Sequence, residues 1–162
     1  MTEPDLHRNA ERVQAALRAA GSQATVRQLS TSTGTAEEAA ASLGVEVGRI
    51  AKTLVFAVDN RPVVVVVSGA DRVDTKALAA HTGSTTAKRA DVDTVRAATG
   101  YPIGGVSPIG IPAGVPVVVD RGLAAFDEVW VAAGTPYAVF PVTYDELVRI
   151  TAATPGDVSV RA

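Results

Sequence analysis

Apolar residues recur along this chain in two rhythms. Leu6, Ala10, Val13, Leu17 and Ala20 stand four and three apart, on one face of a helix, and Gly21 follows as a stop. Thr35 with Glu38 gives a capping-box pattern for a short helix ending near Leu43–Gly44. The rhythm then changes. Ala51–Val58 and Val63–Ser68 are β-rich runs, and Asp59-Asn60-Arg61-Pro62 reads as the turn of a hairpin between them. Asp74 is placed to cap a helix through Thr82, stopped by Gly83; Asp91 is placed to cap another through Thr99, stopped by Gly100.

Strands are predicted at Pro116–Asp120 and Glu128–Ala133, separated by a short segment around Leu123–Phe126, and at Tyr137–Val142. Thr143 and Glu146 repeat the capping-box pattern ahead of a helix Tyr144–Thr151. The tail from Ala153, with Pro155 and Gly156, is expected to be loose; an edge strand at Val158–Val160 is the alternative. Residues 1–152 therefore read as one domain and 153–162 as a C-terminal tail. Helices and hairpins are mixed and do not strictly alternate, so the expected fold is a mixed sheet with helices packed round it.

Composition narrows the setting. Apolar residues make up 47% of the chain, which argues for a packed core. The run Val63–Val67 is far shorter than a membrane helix needs. Met1–Asn9 carries Glu3, Asp5 and Arg8 with no apolar block, so a secretory leader is not expected and the chain reads as cytoplasmic. No cysteine is present, which excludes disulfides, thiolate metal sites and a thiol nucleophile. Net charge is −2, unlike a protein that coats nucleic acid. Residues 45–100 hold eight Lys or Arg against six acids, room for only a local, salt-sensitive contact with RNA.

Familiar hydrolytic motifs are absent: no zinc-binding H-E-x-x-H, no G-x-S-x-G elbow and no P-loop. His7 and His81 fall in or beside predicted helices and read as surface or packing residues. Two features stand out instead. Gly100–Pro116 contains five glycines and four prolines yet carries Ile103, Val106, Ile109 and Ile111, which need burial. Such a loop could aim backbone N–H groups at a carbonyl or phosphate oxygen, or could simply be a tightly packed connection across the sheet; both readings are open. The second feature is Lys52, on the same strand face as Leu54, Phe56 and Val58. It either snorkels to solvent or projects into a cleft as a point charge. Ser68 and Ser107 are candidate water-positioning hydroxyls, with turn or strand-end roles as the alternative. Gly134-Thr-Pro-Tyr137 reads as a turn, with pocket lining as the alternative.

Together, Ile50-Ala-Lys-Thr-Leu-Val-Phe56 and Gly100-Tyr-Pro-Ile-Gly-Gly-Val-Ser-Pro-Ile-Gly110 resemble the YbaK/EbsC family, which includes the editing domain inserted in many bacterial prolyl-tRNA synthetases. The resemblance runs over roughly residues 5 to 152. It implies an α+β fold with a mixed, barrel-like sheet flanked by helices. The implied activity is hydrolysis of the ester joining a mismatched amino acid, cysteine or alanine on the tRNA for proline, to the 3′-terminal adenosine. Lys52 matches the family's key lysine and would anchor the acceptor end. Gly104, Gly105, Ser107 and Pro108 fall in its Gly-x-x-x-Pro loop, which would hold the aminoacyl group and position water.

The resemblance also implies substrate contacts at Thr53, Ser68, Tyr101, Gly110, Gly134 and Tyr137, and no metal or organic cofactor. Implied partners are mischarged tRNA and, for docking, an aminoacyl-tRNA synthetase, with no membrane. A non-catalytic regulatory or small-ligand-binding module on the same fold is the alternative. The chain departs from the pattern after Gly134, where relatives carry a His or a Lys-Arg-Gly-like stretch and this chain has Tyr137. That difference bears on amino-acid specificity more than on reaction class.

Overall fold

The computed structural model describes residues 4–162, with side chains from Arg8 onward. The expectations for Met1–Glu3 and for the Leu6 and His7 side chains lie outside the described residues. Helix α1 (Pro4–Ala19) leads to a short strand β1 (Arg27–Gln28) and then α2 (Ala36–Leu43). The hairpin follows as β2 (Ile50–Val58) and β3 (Arg61–Ser68), continued by β4 (Asp71–Val73). Helix α3 (Thr75–His81), strand β5 (Ala87–Arg89) and helix α4 (Val92–Thr99) precede the glycine-rich loop. Beyond the loop run β6 (Val117–Asp120), a 3-10 turn at Arg121–Ala125, β7 (Val129–Ala132), β8 (Ala138–Val142), α5 (Tyr144–Thr151), β9 (Thr154–Gly156) and β10 (Ser159–Arg161).

Eight strands form one mixed sheet in the order β1-β8-β7-β2-β3-β6-β9, with β5 also on β2; β4 and β10 make a separate pair. Both faces of the sheet are covered, and the valine run shows how. Val64 and Val66 join a core with Val13 and Leu17 of α1, Val95 of α4 and Leu147 of α5. Val63, Val65 and Val67 point the other way and pack with Phe56, Val118, Leu78 of α3 and Val158. The two-residue period of a strand thus feeds two cores from one segment.

Three expectations need correction. The hairpin turn is two residues, Asp59-Asn60, with φ of 47° and 66°, the pair of left-handed conformations that matches strand twist. Arg61 and Pro62 belong to β3 instead; Pro62 lies outside the stretch paired with β6, which begins at Val64, and so interrupts no ladder there. The capping box is complete at Thr35, but at Thr143 only half forms. The Glu146 carboxylate accepts instead from Ser22 Oγ and Arg149. The tail is not loose: β9 pairs with β6, β10 pairs with β4, and Val158 between them is fully buried.

Strand β2 is the element that positions the site. From Ala51 to Val58 it pairs with β3 on one side. On the other side β7 reaches only Ile50 and Ala51, and β5 takes over only at Phe56. Lys52, Thr53 and Leu54 therefore have no strand beside them on that edge, and the sheet splits there.

Candidate active site

A cavity of about 250 Å³ opens at this split. Its floor is the β2 edge from Ile50 to Val55, which explains why residues from both faces of the strand line it. Its walls come from the α2 N-terminus (Thr33–Ala36, Ala39), from Arg89 at the end of β5 and Ala90 after it, and from Trp130 and Ala132 of β7. The fourth wall is the glycine-rich loop, through Ile103, Gly104 and Val106. The space is smaller than the roughly 300–1,000 Å³ of sites for drug-sized ligands. It suits an amino-acid-sized group with a larger attached body left outside.

The loop wall has a defined local geometry. The Gly105 N–H donates to the Pro102 carbonyl at 3.0 Å, closing a four-residue turn with Gly104 third at φ +86°. That conformation is the type II position reserved for glycine. Gly105 then lies flat against the next connection: a Cβ there would sit 2.7 Å from the Thr135 N, Cα and C atoms. Because its N–H is taken up in the turn, Gly105 offers no donor to the cavity. Gly104, whose backbone faces Gly34 across the cavity rim, is the residue of the pair that lines it.

Lys52 is half-buried, and burial pushes its pKa below the ordinary lysine value; Glu37 and Asp71 oppose that shift and Arg89 adds to it. Among the described residues it forms no ion pair within 4 Å. It is one of the residues that line the cleft. A second cation, Arg89, shares the wall, its guanidinium 5.9 Å from the Phe56 ring centre. Lys52 and Arg89 thus bring two positive charges to the lining of a largely apolar chamber, the type of charge that pairs with an anion. Trp130, with the Arg27 guanidinium 5.3 Å from its ring centre, closes the far side.

Two buried hydroxyls, Thr53 Oγ1 and Ser107 Oγ, have no hydrogen-bond partner among the described residues. An orphaned buried hydroxyl carries a desolvation penalty of about 1–3 kcal/mol. Thr53 lines the cavity; Ser107 lies in the fully buried part of the loop.

Of the residues expected at the site, Lys52, Thr53 and Gly104 therefore share one cavity, and the rest are not among its lining. Ser68 Oγ donates to the Gly48 carbonyl at 2.8 Å and accepts from the Ala70 N–H, a strand-end role. Tyr101 is fully buried and its hydroxyl donates to the Ile109 carbonyl at 2.8 Å. The Gly110 carbonyl accepts from Arg12, and the Gly134 carbonyl accepts from Asn9 Nδ2 at 3.0 Å. Pro108 is buried in the loop; Tyr137 sits at the surface with its N–H bonded to Thr135 Oγ1. The sequence reading missed Arg89, Trp130 and the α2 N-terminus as cavity walls. The Thr35 capping box marked that helix start, but nothing local says which surface it faces.

Among the described residues no group of three His, Cys, Asp or Glu side chains could hold a metal ion. No described helix is long and apolar enough to cross a membrane.

Comparison with known proteins gives a consistent set of relatives. The sequence model of the aminoacyl-tRNA editing domain family matches residues 30–150. EbsC of Enterococcus faecalis (strain ATCC 700802 / V583), named as a candidate Cys-tRNA(Pro)/Cys-tRNA(Cys) deacylase, is 36% identical over 126 residues, covering 72% of this chain and 76% of EbsC. The proline–tRNA ligase of Geobacter sp. (strain M21) is 38% identical over 87 residues, 54% of this chain but only 15% of the ligase. A crystal structure of a candidate trans-editing enzyme for prolyl tRNA synthetase superposes with a TM-score of 0.88 at 38% identity, covering 99% of each chain.

Proposed function

This chain belongs to the aminoacyl-tRNA editing domain family, and from that premise we propose that it is a free-standing deacylase acting on mischarged tRNA. The bond cleaved is the ester between a small amino acid, cysteine or alanine, and the 3′-terminal adenosine of the tRNA for proline. The observation that carries this reading is the shared cavity: Lys52 and Gly104 meet across a chamber of about 250 Å³. The aminoacyl group enters the chamber. Lys52, with Arg89 beside it, holds the phosphate backbone of the acceptor end at the mouth.

An aminoacyl ester is already activated, so water attacks without a strong protein nucleophile. As the tetrahedral centre forms, its oxyanion takes a hydrogen bond from the Gly104 N–H. One such preorganised donor contributes about 3 kcal/mol. Thr53 lines the same chamber. Discrimination follows from size, because a small apolar chamber admits a small side chain and rejects a larger one, a sieve suited to substrates whose binding differences alone are too small. The reading puts the enzyme in the cytoplasm beside its tRNA, with an aminoacyl-tRNA synthetase as the source of the mischarged molecule.

The decisive experiment is a deacylation assay on tRNA charged with alanine, cysteine, serine, threonine or proline, comparing wild type with Lys52→Ala. Selective release of alanine or cysteine from the tRNA for proline, lost in the variant, is the expected result. No release from any member with RNA still bound would replace this reading with that of a binding module.

A further inference from the structure

Helix α1 lies ahead of the residues that carry the family match, yet it grips the loop that forms the cavity wall. Resting on the deacylase reading, we propose that Arg12 of α1, seconded by Asn9, is a positioning residue for the reaction. Its guanidinium braces the Gly100–Gly110 loop so that Gly104 stays in the cavity wall.

The contacts close a circuit. Arg12 Nη2 donates to the Thr99 carbonyl at 3.2 Å and to the Gly110 carbonyl, which are the two ends of the loop. The same guanidinium lies 4.5 Å from the centre of the Tyr101 ring. Tyr101 in turn donates through its hydroxyl to the Ile109 carbonyl, which ties the second residue of this segment to the last but one. Asn9, three residues earlier and on the same helix face, donates to the Gly134 carbonyl. Gly134 adjoins Thr135, the residue against which Gly105 is pressed. One helix face thus sets the loop and the connection beneath it in mutual register.

The brace is itself rigid. Ala10, Val13 and Leu17 bury α1 in the main core, so Asn9 and Arg12 project from a fixed element. The loop, by contrast, has neither helix nor strand between Gly100 and Pro116 to hold its shape. Both bonds come from Nη2 while the flat guanidinium lies over the Tyr101 ring, and a lysine, a point charge on a flexible stem, has no plane to stack there.

The test is Arg12→Ala and Arg12→Lys in the full chain, with two readouts. Amide hydrogen exchange should quicken over residues 100–110 in both variants while β2 and β3 keep their protection. On alanyl- and cysteinyl-tRNA for proline, kcat should fall about 10- to 100-fold with KM nearly unchanged, since a misplacement of about 1 Å costs that much. Millimolar guanidinium should restore part of the rate to Arg12→Ala. Unchanged loop exchange, or an unchanged kcat beside an active wild type, overturns the brace. Should wild type release nothing, the deacylase reading falls, while loosening confined to the loop would still uphold Arg12 as its organiser. Arg12→Lys, which keeps the charge and the stem, decides the matter if Arg12→Ala does not fold.

Discussion

Gly105 occupies a position where a single methyl group has nowhere to go. The missing Cβ would lie 2.7 Å from three backbone atoms of Thr135, and backbone cannot swing aside as a side chain can. Gly105→Ala should therefore cost about 1–3 kcal/mol of stability through overpacking and displace the loop from the cavity. Urea unfolding and deacylation measured together should both fall; full activity would mean that the loop's fine placement is immaterial. Lys52 predicts the opposite combination. Burial lowers its pKa, so the folded protein binds this proton less tightly than the unfolded chain does. Folding is then penalised while the lysine is charged, and the penalty fades as pH rises through the folded pKa towards the unfolded one. Lys52→Met should abolish deacylation while leaving the urea midpoint at neutral pH equal or higher, with the gap to wild type narrowing at alkaline pH. A clear drop in that midpoint would show that the ammonium stabilises the fold. Lys52 and Gly104 were legible in the sequence because each breaks its local pattern, a cation in a strand and glycines in an apolar loop. Arg12 and Arg89 were not, because an arginine on a helix or a short strand looks like any solvated surface residue until its neighbours are known.

At the scale of elements, legibility followed the range of the interactions involved. Helix starts at Thr35, Asp74, Asp91 and Thr143 could be read because a cap bonds to N–H groups two or three residues away. Strands β1, β4, β5 and β9 could not, because two or three residues show no period and their partners are far off in sequence. The split in β2, which makes the cavity, depends on where β5 and β7 stop and start, so it too was invisible. One tie holds this arrangement together. The Asp59 carboxylate in the hairpin turn accepts from the Thr86 N–H at 2.9 Å, the Thr85 N–H at 3.1 Å and Thr86 Oγ1 at 3.2 Å, linking the turn to the entry of β5. The Thr86 and Thr85 backbone bonds hold its pKa below the usual aspartate value. An unfolded aspartate binds its proton more tightly, so this stabilisation is present above the unfolded pKa and is lost as pH falls through the folded one. Asp59→Asn tolerates the same left-handed backbone and isolates the charge. It should flatten the acid side of the stability profile, and a carboxyl titration by NMR should place wild-type Asp59 below its unfolded value. A normal titration would remove the tie.

For the molecule as a whole, the open question is whether the last ten residues belong to the cooperative unit. Pro155 and Gly156 suggested a frayed end, but both lie in a strand parallel to β6, at the edge of the main sheet. The anchor is Asp120, a carboxylate only 2% exposed at the end of β6. It accepts from the Gly122 N–H at 3.0 Å, and from the tail it accepts the Val158 N–H at 2.9 Å and Ser159 Oγ at 2.8 Å. The Val158 carbonyl receives the Asp74 N–H at 2.8 Å, which joins the tail to the cap of α3. Val158 itself completes the second core against Val65, Val118 and Leu78. Ending the chain at Ala152 would remove two bonds from a buried carboxylate, worth about 1.5–3 kcal/mol each, and the burial of Val158, worth about 1.5–3 kcal/mol. A total loss of that order is a large share of the stability of any single domain. The truncated chain should therefore unfold at a much lower urea concentration, or without a sharp transition, when followed by Trp130 fluorescence. Asp120→Ala in the full chain should reproduce part of the loss, because it leaves the Val158 N–H without its acceptor. Were the truncated chain to unfold at the wild-type midpoint, the tail would be an ornament on a unit that ends with α5. The expected fall makes the tail part of the same fold that sets β2, and with it the cavity, in place.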